Sequence, residues 1–139
     1  LCVEGQLRTW NNRRGEGAKL VITVLARELY FCDGPDENLV RLSGTLCKAP
    51  NLRITPMGRD ICDLMLAVNR HYGRSDYLPC ILWGRTVMEA AQCHTRDSLK
   101  ICGRLQSRVY TKITETGTEE RTAYEISALA AKICQPESD

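Results

Sequence analysis

Ser75-Asp-Tyr-Leu-Pro-Cys-Ile-Leu-Trp83 is followed, after Gly84-Arg85, by Thr86-Val-Met-Glu-Ala-Ala-Gln-Cys93. The first stretch is short and apolar and reads as a strand. The second has good helix formers and apolar spacing that fits one or two helical turns. It is the one break in an otherwise strand-like pattern. Upstream, Asn38-Leu-Val-Arg-Leu-Ser-Gly-Thr-Leu-Cys47 and Asp60-Ile-Cys-Asp-Leu-Met-Leu-Ala-Val-Asn69 read as strands. Downstream, Leu99–Tyr110 and Arg121–Leu129 do the same, with Gly103 marking a bend or bulge. Turn chemistry separates them at Ala49-Pro-Asn51, Thr55-Pro-Met-Gly58, His71-Tyr-Gly73 and Thr116-Gly-Thr118.

Five short strands with one helix between the third and the fourth is the order of an OB-fold barrel, a fold that binds oligonucleotides on one face. The expected class is therefore all-β. A partial repeat extends it. Val3-Glu-Gly-Gln-Leu-Arg-Thr9 resembles Ile101-Cys-Gly-Arg-Leu-Gln-Ser107, and each is followed by a polar, glycine-containing connection and another strand. The first copy predicts a β-hairpin over residues 1–31, the last two strands of a second OB-fold. Residues 32–37 form a linker, 38–133 a complete barrel and 134–139 a short tail. Gly103 lies 65 residues after Asn38, whereas Gly5 has four residues before it. Most of an upstream fold would then precede Leu1. A hairpin alone is marginal in water, so residues 1–31 are expected to pack on the second domain or to depend on a missing half.

The chain has 139 residues, 43% hydrophobic and 26% charged, which fits an ordinary globular domain. Its longest apolar run, Leu20–Ala26 with Thr23 inside it, is far short of the roughly 20 residues a membrane-spanning helix needs. No membrane partner is expected, and no signal-peptide pattern opens the chain. The net charge of +2 conceals an uneven distribution. Residues 38–112 carry 12 basic and 5 acidic side chains, while the flanks are net acidic. A basic centre points to a polyanionic partner, against the plainer reading of a solvated arginine-rich surface.

The eight cysteines are Cys2, Cys32, Cys47, Cys62, Cys80, Cys93, Cys102 and Cys134, and the two histidines are His71 and His94. No two cysteines are spaced as C-x-x-C, so no metal site is expected. Most lie in apolar stretches and read as small buried hydrophobes. Free, reduced thiols and a cytoplasmic location follow, with a disulfide framework as the lesser reading.

Several segments in fixed order resemble the bacterial single-stranded DNA-binding protein family, to which primosomal replication protein N is closely related. They are Asn38–Leu46, Pro50, Arg53-Ile-Thr-Pro-Met-Gly58, Leu66-Ala67, Ile81-Leu-Trp-Gly84, Gly103-Arg-Leu-Gln-Ser-Arg108 and Thr122-Ala-Tyr-Glu-Ile126. The resemblance covers residues 38–133, and Val3–Thr9 looks like the fourth-strand motif of the same family. It implies the carboxyl-terminal part of a tandem, two-OB-fold member.

The resemblance also implies single-stranded DNA as partner, bound with little sequence preference and without catalysis or cofactor, in replication, repair or recombination. The family's aromatic platforms fall on Tyr72, Tyr77, Trp83 and Tyr110. Stacking suits such a role because every base has a π-face. The plainer alternative for an aromatic on an apolar strand, Trp83 above all, is the barrel core. Arg53, Arg70, Arg74, Arg85, Arg104, Arg108 and Lys112 lie around these aromatics in sequence and are the candidate phosphate contacts. Arg53 is placed on the loop leading to the second strand. A homo-oligomer, dimer or tetramer, is expected, with replication or repair proteins as further partners. The family's larger members end in a long acidic, phenylalanine-tipped tail. The stretch Ala130–Asp139 has no such tip, so recruitment through it is not expected. The alternative is an adaptor like primosomal protein N, bridging DNA and replication-restart proteins.

An enzyme is the third reading. Cys93-His94 is the one adjacent nucleophile–base pair, and neighbours on a short helix point apart. Asp60 and Asp63 are three apart in a strand, on opposite faces, which is poor placement for joint acid–base work. No catalytic residue is assigned.

Overall fold

The computed structural model describes residues 1–12 and 19–134. The strands are β1 (Cys2–Asn11), β2 (Leu20–Tyr30), β3 (Val40–Leu46), β4 (Asn51–Ile54), β5 (Asp60–Asn69), β6 (Ser75–Trp83), β7 (Ser98–Thr114) and β8 (Gly117–Cys134). A 3-10 turn, Gly84–Thr86, leads into the single helix α1 (Val87–Ala91), between β6 and β7 as expected. Of the short tail expected over 134–139, Cys134 ends β8 and the remainder lies outside the described residues.

β3 to β8 form one sheet in the order β3-β7-β8-β6-β5-β4. β3 also pairs with β5, through Thr45–Ala67 and Leu46–Leu66, which curls the sheet back on itself. β6 and β8 run parallel, Cys80 opposite Ile126. Five long strands closing in this order, with a helix after the third, make an OB-type barrel. β4 is the addition: Asn-Leu-Arg-Ile lies between Pro50 and Thr55-Pro56 and is too short to show an alternation. It becomes a strand because β5 offers an edge, with Arg53 opposite Ile61. Arg53 therefore sits on a strand, not on a loop.

The inward residues of the barrel follow the period of two. Leu78, Cys80 and Leu82 of β6 meet Leu64 and Leu66 of β5, with Leu46, Leu99, Ile101 and Ile126 from the neighbouring strands, all buried. Each such leucine contributes about 2 kcal/mol by leaving water. Val87 and Ala90 fix the inner side of α1.

The chain divides into two compact units. One holds Leu1–Asn38 with Ser107–Tyr124, and the other holds Leu39–Gln106 with residues from Glu125 on. β7 and β8 are longer than the sequence pattern indicated, and their outer halves, on either side of the Glu115-Thr116 turn, belong to the first unit. The alternation that marks a strand is lost there because most residues from Ser107 to Glu120 are exposed on both faces.

Gly5 and Gly103, the glycines of the sequence repeat, do the same job. A Cβ on Gly5 would run into the carbonyl oxygen of Leu25, and one on Gly103 into that of Ser127. Each strand approaches its partner's backbone too closely for any side chain. At Gly5 the register of β1 against β2 shifts by one residue, a bulge.

The thiols divide as well. Cys47, Cys62, Cys80, Cys93 and Cys102 are free, and Cys62 and Cys80 are fully buried. Cys2 and Cys32 form a disulfide, closing the open end of the first hairpin, which corrects the expectation of free thiols for that pair. The pair is drawn together by the hairpin itself: Cys2 lies opposite Tyr30, two residues before Cys32. Cys134 lies outside the described side chains.

Burial pushes the Cys62 thiol up to about 11 and the Cys80 thiol further still. Both stay protonated in the folded protein where an unfolded chain, with ordinary thiols near 9.0, would ionise. Stability is then flat below pH 9 and falls as pH rises toward 11. A loss of roughly 4 kcal/mol, about 2 from each thiol, is expected across that window. Urea midpoints at neutral and alkaline pH read it, and Cys80→Ala should flatten the alkaline limb. An equal decline in that variant would assign the effect to other groups.

Candidate nucleic-acid interface

On β6 the even residues face the core, so Tyr77, Pro79, Ile81 and Trp83 share the opposite face. Residues directly opposite in a sheet also share a face. Ala67, Met65, Asp63 and Ile61 of β5 therefore lie beside them in that order, and Arg53 of β4 beside Ile61. Arg53, Ile61 and Trp83 form one cross-strand row. Tyr77 is 48% exposed and Trp83 is half-buried, with Ile61 and Ile81 closed in around it. Trp83 therefore combines both readings: its flank belongs to the packing, and part of it stays open to solvent.

The basic residues divide by what they already hold. Arg53 makes a two-pronged contact with Asp63, Nε to Oδ2 at 2.5 Å and Nη2 to Oδ1 at 3.3 Å. Arg70 grips Asp76 in the same way, at 2.9 and 2.5 Å. The Asp76 side chain is only 4% exposed. A carboxylate that deep needs a partner, so the first duty of Arg70 is structural. These pairs raise both guanidinium pKa values, through the hydrogen bond above all. Arg74, Arg85 and Arg104 are exposed.

Position in the fold sorts them further. The Arg70 N–H donates to the Arg74 carbonyl at 2.6 Å, closing the β5–β6 turn. Tyr72 stands at its apex, 93% exposed, beside Arg74. Arg85 follows Trp83 by two residues, on the 3-10 turn. Arg104 lies on β7 beside Gly103. All of these belong to the barrel unit.

Arg108, Tyr110 and Lys112 belong to the other unit. They alternate along β7 and so share one face. The Arg108 guanidinium lies over the Tyr110 ring, 5.9 Å from its centroid, a cation–π contact. Tyr110 is 38% exposed. The sequence reading passed over four further exposed aromatics, Trp10, Tyr30, Phe31 and Tyr124. Tyr124 lies inside a motif read for its strand, and Trp10 lies one residue past the end of the partial repeat.

A barrel of this strand order, with outward aromatics and arginines on its strands, is an oligonucleotide-binding fold. Residues 37–133 match the single-strand binding protein family, and the chain belongs to that family. It is 36% identical over 80 residues to single-stranded DNA-binding protein B of Bacillus subtilis, a match spanning 52% of this chain and 71% of that protein. It is 32% identical over 103 residues to a Bacillus cereus single-stranded DNA-binding protein, spanning 69% of this chain and 58% of the relative. The crystal structure of the Thermus aquaticus single-stranded DNA-binding protein superposes with a TM-score of 0.79 at 26% identity. That superposition covers 99% of this chain, first hairpin included, and 60% of the Thermus chain.

Among the described residues, no group of histidine, cysteine and acidic side chains is arranged to hold a metal ion. No helix there is long and apolar enough to cross a membrane.

Proposed function

We propose that this protein binds single-stranded DNA with little sequence preference, stacking bases on aromatic side chains and neutralising phosphates with arginine. The observation that carries the reading is the outward face of β6, where Tyr77 and the open side of Trp83 share a surface with Met65 and Ala67. Tyr72 and Tyr110 add platforms elsewhere, and Arg74, Arg85, Arg104, Arg108 and Lys112 supply phosphate contacts. Arg53 and Arg70 act by holding Asp63 and Asp76. The names of the relatives support the same ligand. Protecting the strand in replication, repair or recombination is the role that fits such a ligand. The activity is binding without catalysis, in a cytoplasmic, nucleoid-associated homo-oligomer. The proposed organisation is a barrel over 38–133 joined by linker 32–37 to a hairpin, residues 1–31, from a second such fold.

The test is a titration of a labelled oligo-dT of about 35 nucleotides, followed by anisotropy. Tight binding that resists duplex competitor is expected. Affinity should fall roughly tenfold or more between about 50 and 200 mM salt, from release of counterions. Binding that ignores salt, or prefers duplex, would overturn the mechanism. Absence of binding would favour the adaptor reading.

A further inference from the structure

Two arginine–aspartate pairs in the barrel unit share a geometry and differ in their surroundings. In each, Nε and Nη2 of the guanidinium donate to the two oxygens of one carboxylate. The Asp76 side chain is 4% exposed, so the pair with Arg70 is sealed. The Arg53 and Asp63 side chains are 36% and 32% exposed, so theirs stands open to solvent. An open pair adds little to stability, because water and ions screen it, and it exchanges partners readily.

Asp63 also stands on a face where a carboxylate is a disadvantage. It shares the outward side of β5 with Ile61, Met65 and Ala67, and Ile81 of β6 lies directly opposite. Tyr77 and the open side of Trp83 belong to the same surface. Asp63 is the one charged residue that β5 places there. A negative charge on a surface that binds a polyanion lowers the affinity of that surface. The charge of Glu125 on β8 also reaches Arg53, but Glu125 is 3% exposed and its carboxylate accepts from the Gln106 amide at 3.1 Å. Asp63 is therefore the acid that an incoming phosphate can replace. Phosphate offers a guanidinium the same two-pronged acceptor that a carboxylate does. Arg53 can pass from one to the other without losing a hydrogen bond, and the partly exposed carboxylate returns to water.

We propose that Asp63 is a built-in competitor for phosphate: it holds Arg53 in the free protein, yields it to the single strand on binding, and so restrains the affinity of this face and speeds release. The inference rests on the proposed binding of single strands and identifies the residue that limits it.

Asp63→Asn keeps the shape of the side chain and removes its charge. In labelled oligo-dT anisotropy it should bind roughly fivefold or more tighter than the wild type, with slower release in a chase. The slope of log affinity against log salt should steepen by about 0.7, one further phosphate contact on a single strand. Adding Arg53→Ala to Asp63→Asn should abolish the gain. If Asp63→Asn binds no tighter than the wild type, or the double variant keeps the gain, the competitor is overturned and the proposed function stands. If the wild type fails to bind, the proposed function falls and this inference with it. Should Asp63→Asn fail to fold, the wild type decides by NMR. The Arg53 Nε–H resonance, assigned by its loss in Arg53→Lys, should shift as oligo-dT saturates, and an unmoved resonance overturns the exchange.

Discussion

Arg70→Ala is expected to lower the thermal midpoint by about 10 °C while leaving the affinity of the folded protein for single strands nearly intact. Arg70 was read from the sequence as a phosphate contact because it stands two residues before Tyr72 in a basic stretch. The structure turns it to Asp76 through two hydrogen bonds, and the Asp76 side chain is 4% exposed. Removing the guanidinium takes two hydrogen bonds and the countercharge from a carboxylate that water reaches poorly, and breaking such a buried pair costs far more than a surface pair gains. Arg74→Ala is the control. Its side chain is exposed and four residues further along the same turn, so it should weaken binding without moving the midpoint. A melt followed by circular dichroism and an oligo-dT titration of each variant separate the two effects. Unchanged stability with lost affinity in Arg70→Ala would return that residue to the binding surface.

The same turn shows what could be read in advance. The short apolar stretches Asp60–Asn69 and Ser75–Trp83 predict β5 and β6 with their boundaries, because each strand has one face to bury. α1 was legible because its helix formers interrupt that pattern. Pairing was not legible. Arg70 and Asp76 are six apart in sequence and meet only because β5 and β6 turn back in register, and nothing in composition distinguishes that arginine from Arg74. Arg53 was hidden for a related reason: β4 is a strand only by virtue of its neighbour. The Cys2–Cys32 bridge depends on the register of β1 against β2, which the masking effect of the bulge at Gly5 kept from a simple count. Trp10 had a signal in the sequence. Extending the repeat one residue beyond Thr9 and Ser107 places Trp10 opposite Arg108, two residues before Tyr110.

Gly103→Ala should cost about 3 kcal/mol or more, whereas Gly5→Ala should damage the first hairpin and spare the barrel. The added Cβ of either variant meets backbone, which has no rotamer to escape into. At Gly103 its neighbours are the Ser127 carbonyl and the Ala128 Cα, on the stretch of β8 that also pairs with β6. Relieving that collision means separating β7 from β8 beneath Ile101 and Ile126, both buried. At Gly5 the collision is with Leu25 and Ala26, in a two-stranded sheet of its own. There the Cys2–Cys32 bridge still holds the strand ends, so the chain remains tethered while the register shifts. Two readouts distinguish the cases. Burial of the Cys62 and Cys80 thiols reports the barrel: alkylation should reach them readily in Gly103→Ala and stay slow in Gly5→Ala. Trp10 emission, read in a Trp83→Phe background, reports the hairpin and should change in Gly5→Ala. Equal thiol exposure in both variants would mean that the two units fold as one cooperative block. In that event the first hairpin supports the barrel directly, and the repeat describes two halves of a single folding unit.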